Sequence, residues 1–251
     1  FDSSFTEIST PLDVVLAERR GVCQDFAHLA VGSLRALGLA ARSMGDIGVA
    51  VGHMQTAVRV ADRAGLERRA AEARLEGRVK AVQGDAADLY HLLGPESADV
   101  VLCHGVLEVV DDPRAALRGV VAVLRPDGLA SVLVAQRYAA VIARAVAGHL
   151  ADARHALRDP AGRWGTADPL PRRFDEPGVR DLFEAADMRV LQVHGVRVLA
   201  DLVPGALSDD STSARDLLVL EAIVAGHPAF RAVAGQLHVL GTPARRRRLS
   251  D

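Results

Sequence analysis

The stretch VVLCHGVLEVVDDP, Val100 to Pro113, ends an apolar run on Cys103 and His104 and passes into an acidic segment that starts a helix. A histidine at the carboxyl end of a buried strand stands where loops present side chains to ligands. His104 is therefore read as a ligand contact or as a structural histidine, and Cys103, beside it, as a core thiol. Asp85 follows Gly84 in VQGDAADL. Its carboxylate either accepts from an exocyclic amine, with the Ala86 amide alongside, or closes an Asx-turn or helix cap. In DIGVAVG, Gly48 and Gly52 allow the backbone close approach to a ligand at a helix start. Arg172 with Arg173, and Arg197, carry guanidinium forks that suit carboxylate or phosphate, or they are solvated arginines. Tyr138 and Trp164 offer ring faces for a base, although 4% aromatic content supplies no stacking platform. Asp112 before Pro113 is read as an N-cap.

A different chemistry is written near the start. Cys23 opens the helical segment CQDFAHLAVGSLRALG, and a helix N-terminus favours the thiolate. A thiol nucleophile also needs a histidine to activate it and a carboxylate to orient that histidine, for which His53 and Asp62 are the nearest stand-ins.

The elements that would position these groups follow from periodicity. STPLDVVLAERRG, with Thr10 as N-cap and Pro11 at the first helical position, pairs with the Cys23 helix as a helical hairpin. From Gly77 onward strands and helices alternate. RVKAVQGDA, ADVVLCHG, LASVLVAQ, MRVLQVHGVRVL and AGQLHVLGT read as strands. DPRAALRGVVAVLRPDG reads as a helix stopping at Arg125 before Pro126, RYAAVIARAVAGHLADARHAL as a single helix, and EPGVRDLFEAAD as another. This alternation predicts an α/β sheet with helices on both faces.

Composition sets the bounds. The 251 residues are 49% hydrophobic and 25% charged, enough for one or two domains with a buried core. A net charge of -2 gives no global basic field for nucleic acid or membrane surfaces, and the arginine run near the end reads as a solvated tail. Two cysteines far apart, Cys23 and Cys103, argue against a disulfide scaffold or a structural zinc site. A reducing cytoplasm is expected, with no metal and no membrane span. The chain opens on Phe1 rather than Met, so a preceding residue or segment is expected.

The order DIGVAVG, VQGDAADL, ADVVLCHGVLEVVDDPRAALRGVVAVLRPDG, LASVLVAQ resembles the class I S-adenosylmethionine-dependent methyltransferases over roughly residues 44 to 243. Within that superfamily, CHGVLEVVDDP, AVAGHL, PLPRRFDEPGVRDLFEAADM, HGVRVLADLVP and LEAIVAGHPAFRAVAGQLHVLG resemble the enzymes that methylate the carboxyl group of 5-carboxymethoxyuridine in tRNA. The resemblance implies a Rossmann-like methyltransferase sheet and S-adenosylmethionine held by Asp46, Gly48, Gly52, Asp62, Asp85, Ala86 and His104. It further implies methyl transfer to a carboxylate or oxygen acceptor, on a small molecule or on a modified tRNA uridine, with Arg172, Arg197 and Tyr138 toward the substrate.

Two features depart from that pattern. Ala50 stands where the superfamily's glycine loop has its middle glycine, crowding the expected place of the cofactor's carboxypropyl tail. The interval before LERRAAEARLEGRV is also too short for a helix, a strand and an acidic ribose ligand together. Either HMQTAVRVADRAG is the helix and one strand is lacking, or AVRVAD is that strand with Asp62 on the ribose, or one long helix runs from about His53 to Glu76.

Residues 6 to 42 resemble instead the nucleophile region of bacterial transglutaminase-like proteins, with Cys23 as nucleophile; the family's HAW strand and DPT motif are missing. The expected organisation is a transglutaminase-like helical fragment at 1–42, a methyltransferase-like domain at 43–245 and a basic tail at 246–251. A thiol acyl-transferase or hydrolase and an inactive methyltransferase fold are the competing functions.

Overall fold

The computed structural model describes residues 85–203 and 211–244, all within one unit, Gly84–Asp251. The helical hairpin, the DIGVAVG loop, the choice among the three paths through 44–77 and the basic tail lie outside the described residues. So do Cys23, Asp46, Gly48, Gly52, His53 and Asp62.

A short 3-10 turn, Ala86–Asp88, leads into α1, Leu89–Leu93. Strand β1, Ala98–His104, is followed by α2, Pro113–Val123, and β2, Leu124–Ala135. Two helices come next, α3 at Arg137–Val146 and α4 at Leu150–Arg158. The chain then forms α5, Glu176–Ala185, and β3, Met188–Val196. It closes with α6, Ser211–Ala225, α7, Pro228–Arg231, and β4, Gln236–Pro243. The sheet order is β1-β2-β4-β3. β1 and β2 run parallel, and β4 inserts antiparallel between β2 and β3. The last strand thus fills the sheet's middle, and the carboxyl ends of β1, β2 and β3 share one rim. This is the α/β, Rossmann-like architecture expected from the alternating pattern.

Strand alternation divides the sheet into two faces. On one, Cys103, Ala130, Val132, Val134, Val193, Leu237 and Val239 are buried in a single apolar cluster with Leu117 and Val120 of α2 and Val179 and Phe183 of α5. Phe183 is fully buried, and its ring lies so close over Gly241 that a Cβ there would overlap it. Burying each such side chain stabilises the fold by roughly 1.5–3 kcal/mol. Gly119 on α2 serves a similar purpose, because a Cβ there would strike the Ala86 carbonyl, so the 3-10 turn packs directly on the helix.

The opposite face carries two cross-strand rows. His104, Leu133, His238 and His194 are aligned across β1, β2, β4 and β3 by the pairing register, and Leu102, Ser131, Leu240 and Gln192 form the row beside them. Val100 and Leu102 at the β1 end of this face are about half exposed, whereas Ser131 and His238 are buried.

Three elements differ from the periodicity reading. The segment 137–158 is two helices, because Gly148 takes φ +81 and lets the chain turn between them. Helix α2 stops at Val123, two residues before the expected Arg125, because Leu124 is already extended and begins β2. A register shift between Ala98 and Val100 absorbs the irregular RPDG segment. Helix α6 was not read as an element at all: its apolar residues Leu217, Leu218, Val219, Leu220, Ile223 and Val224 do not keep to one helical face.

Candidate functional site at the carboxyl rim of the sheet

The rim is assembled by turns that the sequence specifies locally. After His104 the chain turns at Gly105, whose φ is +66, and the Gly105 amide donates to the Leu133 carbonyl of β2 at 2.9 Å. The loop then descends through buried Leu107 and Glu108 to Asp112, whose carboxylate accepts from the amides of Arg114 and Ala115 at 2.8 and 3.0 Å. Asp112 is thus the N-cap expected from its position before Pro113. At the end of β2, Gln136 is fully buried and caps α3 through its side-chain oxygen, while its amide nitrogen bonds the Ala232 carbonyl.

Asp85 and Ala86 form the edge of the 3-10 turn. One carboxylate oxygen of Asp85 accepts from the Ala87 amide at 2.8 Å, which is the Asx-type cap foreseen as an alternative to ligand binding. The second oxygen and the Ala86 N–H have no hydrogen-bond partner among the described residues. An acceptor and a donor therefore stand side by side at an exposed edge, the complement of a base edge bearing an amine next to a ring nitrogen.

His104 sits at the last residue of β1. Its Nε2 lies 2.9 Å from Ser131 Oγ, and the same oxygen lies 2.7 Å from His238 Nε2. The two imidazoles meet edge-on at 5.9 Å between ring centres. Burial lowers both histidines, His104 to about 4 and His238 to about 3, the latter helped by His104 and His194. Both rings are accordingly neutral at ordinary pH. The neighbouring Cys103 thiol is pushed up to about 12 by burial and by the Glu108 charge, so it is the inert core residue expected.

Glu108 has a structural role in the acidic segment after β1. It is buried, its Oε1 accepts from the Ala135 amide at 2.6 Å, and its Oε2 is buried without a partner. Burial raises its carboxyl, against the opposing pull of the Ala135 amide and of Arg173 and Arg172. It ties the loop after β1 to the last residue of β2.

The substrate-side arginines are engaged within the protein. Arg172 does not present its fork to an anion: one terminal nitrogen donates to the carbonyls of Leu107 and Val110, and the other reaches that of Asp111. It braces the loop after β1 through carbonyls that no helix satisfies. Arg197, at φ +57, pairs with the carboxylate of Asp201. Arg173 is locked bidentately to the buried side chain of Asp168, which also accepts from the amides of Trp164 and Leu170. Tyr138 is partly exposed at the start of α3, with the Arg137 guanidinium 5.4 Å from its ring centre. Trp164 is stacked 3.6 Å under Arg144, so one face of its ring is taken. Of Arg172, Arg197 and Tyr138, Tyr138 alone has a side chain with no hydrogen bond or ion pair to the described residues.

Sequence reasoning missed Ser131 and His238. Each is a polar residue set between buried apolar neighbours, Ala130 and Val132 for Ser131 and Leu237 and Val239 for His238, and that local conflict is the signal that could have found them.

Residues 29–132 match the methyltransferase domain family model. Uncharacterized proteins of Mycobacterium bovis and Mycobacterium tuberculosis are 58% identical to this chain over 41 residues, 16% of the chain. The chain spans only 13% of the length of those relatives. Among solved structures, a SAM-dependent methyltransferase of Thermotoga maritima is 20% identical with a TM-score of 0.43, covering 70% of each chain. The StiE O-MT domain is 14% identical with a TM-score of 0.42, covering 94% of this chain and 81% of that one. Residues 85–132 of the family match are described here: the 3-10 turn, β1, α2 and the first part of β2. Residues 29–132 are thus similar to a methyltransferase domain, and S-adenosylmethionine is the cofactor that this similarity implies.

Proposed function

We propose that this protein transfers a methyl group from S-adenosylmethionine to an oxygen acceptor, either a hydroxyl or a carboxylate, of the kind borne by a modified tRNA uridine. The reading is carried by the unpaired acceptor and donor of Asp85 and Ala86, at the position where the family resemblance expects the adenine edge. His104, at the end of the neighbouring motif, stands at the rim where an acceptor would approach.

The cofactor supplies an electrophilic methyl on a sulfonium, so the protein's share of the work is mostly placement. Asp85 and Ala86 orient the base by one accepted and one donated hydrogen bond. Glu108 and Arg172 hold the loop after β1 to β2, which fixes the height of His104 above the sheet. Aligning an acceptor oxygen with the breaking bond accounts for several kcal/mol of a typical barrier, on the order of 7–11 kcal/mol at best. No strong base is required when the acceptor is already an anion, consistent with two neutral histidines at the rim.

Isothermal titration of the full chain with S-adenosylhomocysteine tests this reading. Saturable binding in the micromolar range is expected, weakened about tenfold or more in Asp85→Ala. Absence of heat at high micromolar concentration overturns it. Incubating the loaded protein with tRNA carrying a free carboxymethoxy group, and reading esterification by mass spectrometry, separates the tRNA acceptor from a small-molecule one.

A further inference from the structure

We infer that His238 and Ser131 form a hydrogen-bond relay that fixes the ring of His104 in one tautomer, leaving its Nδ1 a lone-pair acceptor for an O–H or N–H donor bound at the rim. The assignment of that donor to cofactor or methyl acceptor rests on the proposed function; the relay itself does not.

The argument begins with one proton. A serine hydroxyl has a single hydrogen and two acceptor sites. Ser131 is buried, and its hydroxyl contacts are His104 Nε2 at 2.9 Å and His238 Nε2 at 2.7 Å. Its proton therefore lies on one of these two contacts, since a buried donor left unmade is costly. The imidazole that receives it must offer a bare Nε2. The other must bring its own Nε2–H, because two lone pairs would otherwise face each other. With both rings neutral, the two histidines are forced into opposite tautomers.

The distances favour one of the two arrangements. N–H···O bonds centre near 2.9–3.0 Å, and hydroxyl donors sit closer. The shorter, 2.7 Å contact fits the hydroxyl's donation to His238, and the 2.9 Å contact fits the His104 Nε2–H donating to Ser131. His104 is then the Nε2–H tautomer, and no protein group among the described residues bonds its Nδ1. The ligand chemistry that suits this nitrogen is a hydroxyl, amine or ammonium. A carboxylate placed against it would meet a lone pair.

Ser131 and His238 act through His104 and are positioning residues. The strand register explains why this pair is available: His238 and His104 flank Leu133 in one row, and Ser131 projects from the row beside it, one residue pair along β2.

The test uses the full chain with ¹⁵N-labelled histidine at neutral pH, recording which ring nitrogen of each histidine is protonated. The expected result is His104 protonated on Nε2 and His238 on Nδ1. Ser131→Ala should abolish the single-tautomer pattern at His104, and Ser131→Thr, which keeps the hydroxyl, should restore it. Finding His104 protonated on Nδ1, or an unchanged His104 pattern in Ser131→Ala protein whose circular dichroism matches wild type, overturns the relay. Adding S-adenosylhomocysteine separates the donors. A shift at Nδ1 assigns the donor to the cofactor; calorimetric binding without that shift assigns it to the methyl acceptor, and Ser131→Ala then raises KM for the acceptor with little change in kcat. Intact tautomers with no calorimetric binding leave the relay standing and remove the methyltransferase reading alone.

Discussion

The two faces of the sheet are made by the same strands, yet they settle burial in opposite ways. On the face under α2 and α5, Ala130, Val132, Val134, Leu237 and Val239 exclude water and ask nothing of their neighbours beyond shape. On the other face Ser131 and His238 are buried just as deeply but are polar, so each is held by a specific bond. The first arrangement tolerates any side chain of the right size, while the second tolerates only groups that place a proton correctly. Stability and chemistry are thereby assigned to opposite faces, and changes on the two should be separable.

The largest expected effect lies on the apolar face. Phe183→Ala removes a fully buried ring and should cost about 3–5 kcal/mol in denaturant unfolding. Gly241→Ala alone should cost about 1–3 kcal/mol, because the new methyl overlaps that ring. In the Phe183→Ala background most of the Gly241→Ala cost should vanish, a coupling that a double-mutant cycle measures directly. Additive losses would mean that the ring does not lie over Gly241. Neither change should alter the tautomers of His104 and His238.

The polar face should announce itself through pH. His104 and His238 are held near 4 and 3 by burial, the latter also by His104 and His194, against 6.5 in the unfolded chain. Between pH 6.5 and about 4 the unfolded chain binds more protons than the folded one, so stability rises with pH across that window. It is fully present above 6.5 and falls as the solution is acidified, by on the order of 3 kcal/mol for each of the two histidines down to pH 4. His238→Gln should flatten this slope, whereas Phe183→Ala should lower the whole curve without changing its shape. A slope unchanged in His238→Gln would show that these histidines do not govern it.

This contrast also explains what the sequence could reveal. Alternation of apolar residues marked ADVVLCHG, LASVLVAQ and AGQLHVLGT as strands, and Asp112 with Pro113 marked the start of α2, because those signals are local and repeat with a fixed period. The insertion of β4 between β2 and β3 was not legible, since strand order is decided by contacts between residues about a hundred positions apart. The same holds for Ser131 and His238, separated by 107 residues, and for Glu108 with Ala135. Arg172 shows the reverse case. Its residue type suits an anion, but the loop after β1 leaves three carbonyls open beside it, and they claim the guanidinium first. Helix α6 escaped because its apolar residues surround the axis, which removes the 3.6-residue signal while leaving the helix intact.

The smallest expected effect sharpens the comparison at the junction of the apolar face with the rim. Asp175 caps α5 by accepting from the Gly178 amide at 2.9 Å, and α5 carries Val179 and Phe183 onto the sheet. Asp175→Ala should cost about 1 kcal/mol, while Asp175→Ser, which keeps an oxygen at the cap, should recover most of it. Asp175 also lies 3.7 Å from Arg137, a contact that serine cannot make. The Ala-minus-Ser difference in unfolding free energy therefore reads the cap, and the Ser-minus-wild-type difference reads the ion pair. If the second difference is the larger, α5 is anchored through the start of α3 rather than by its own N-terminus, and the two faces would be mechanically joined at Arg137. A dominant cap keeps them independent, in which case Asp175→Ala shifts the unfolding midpoint and leaves the His104 tautomer as it was.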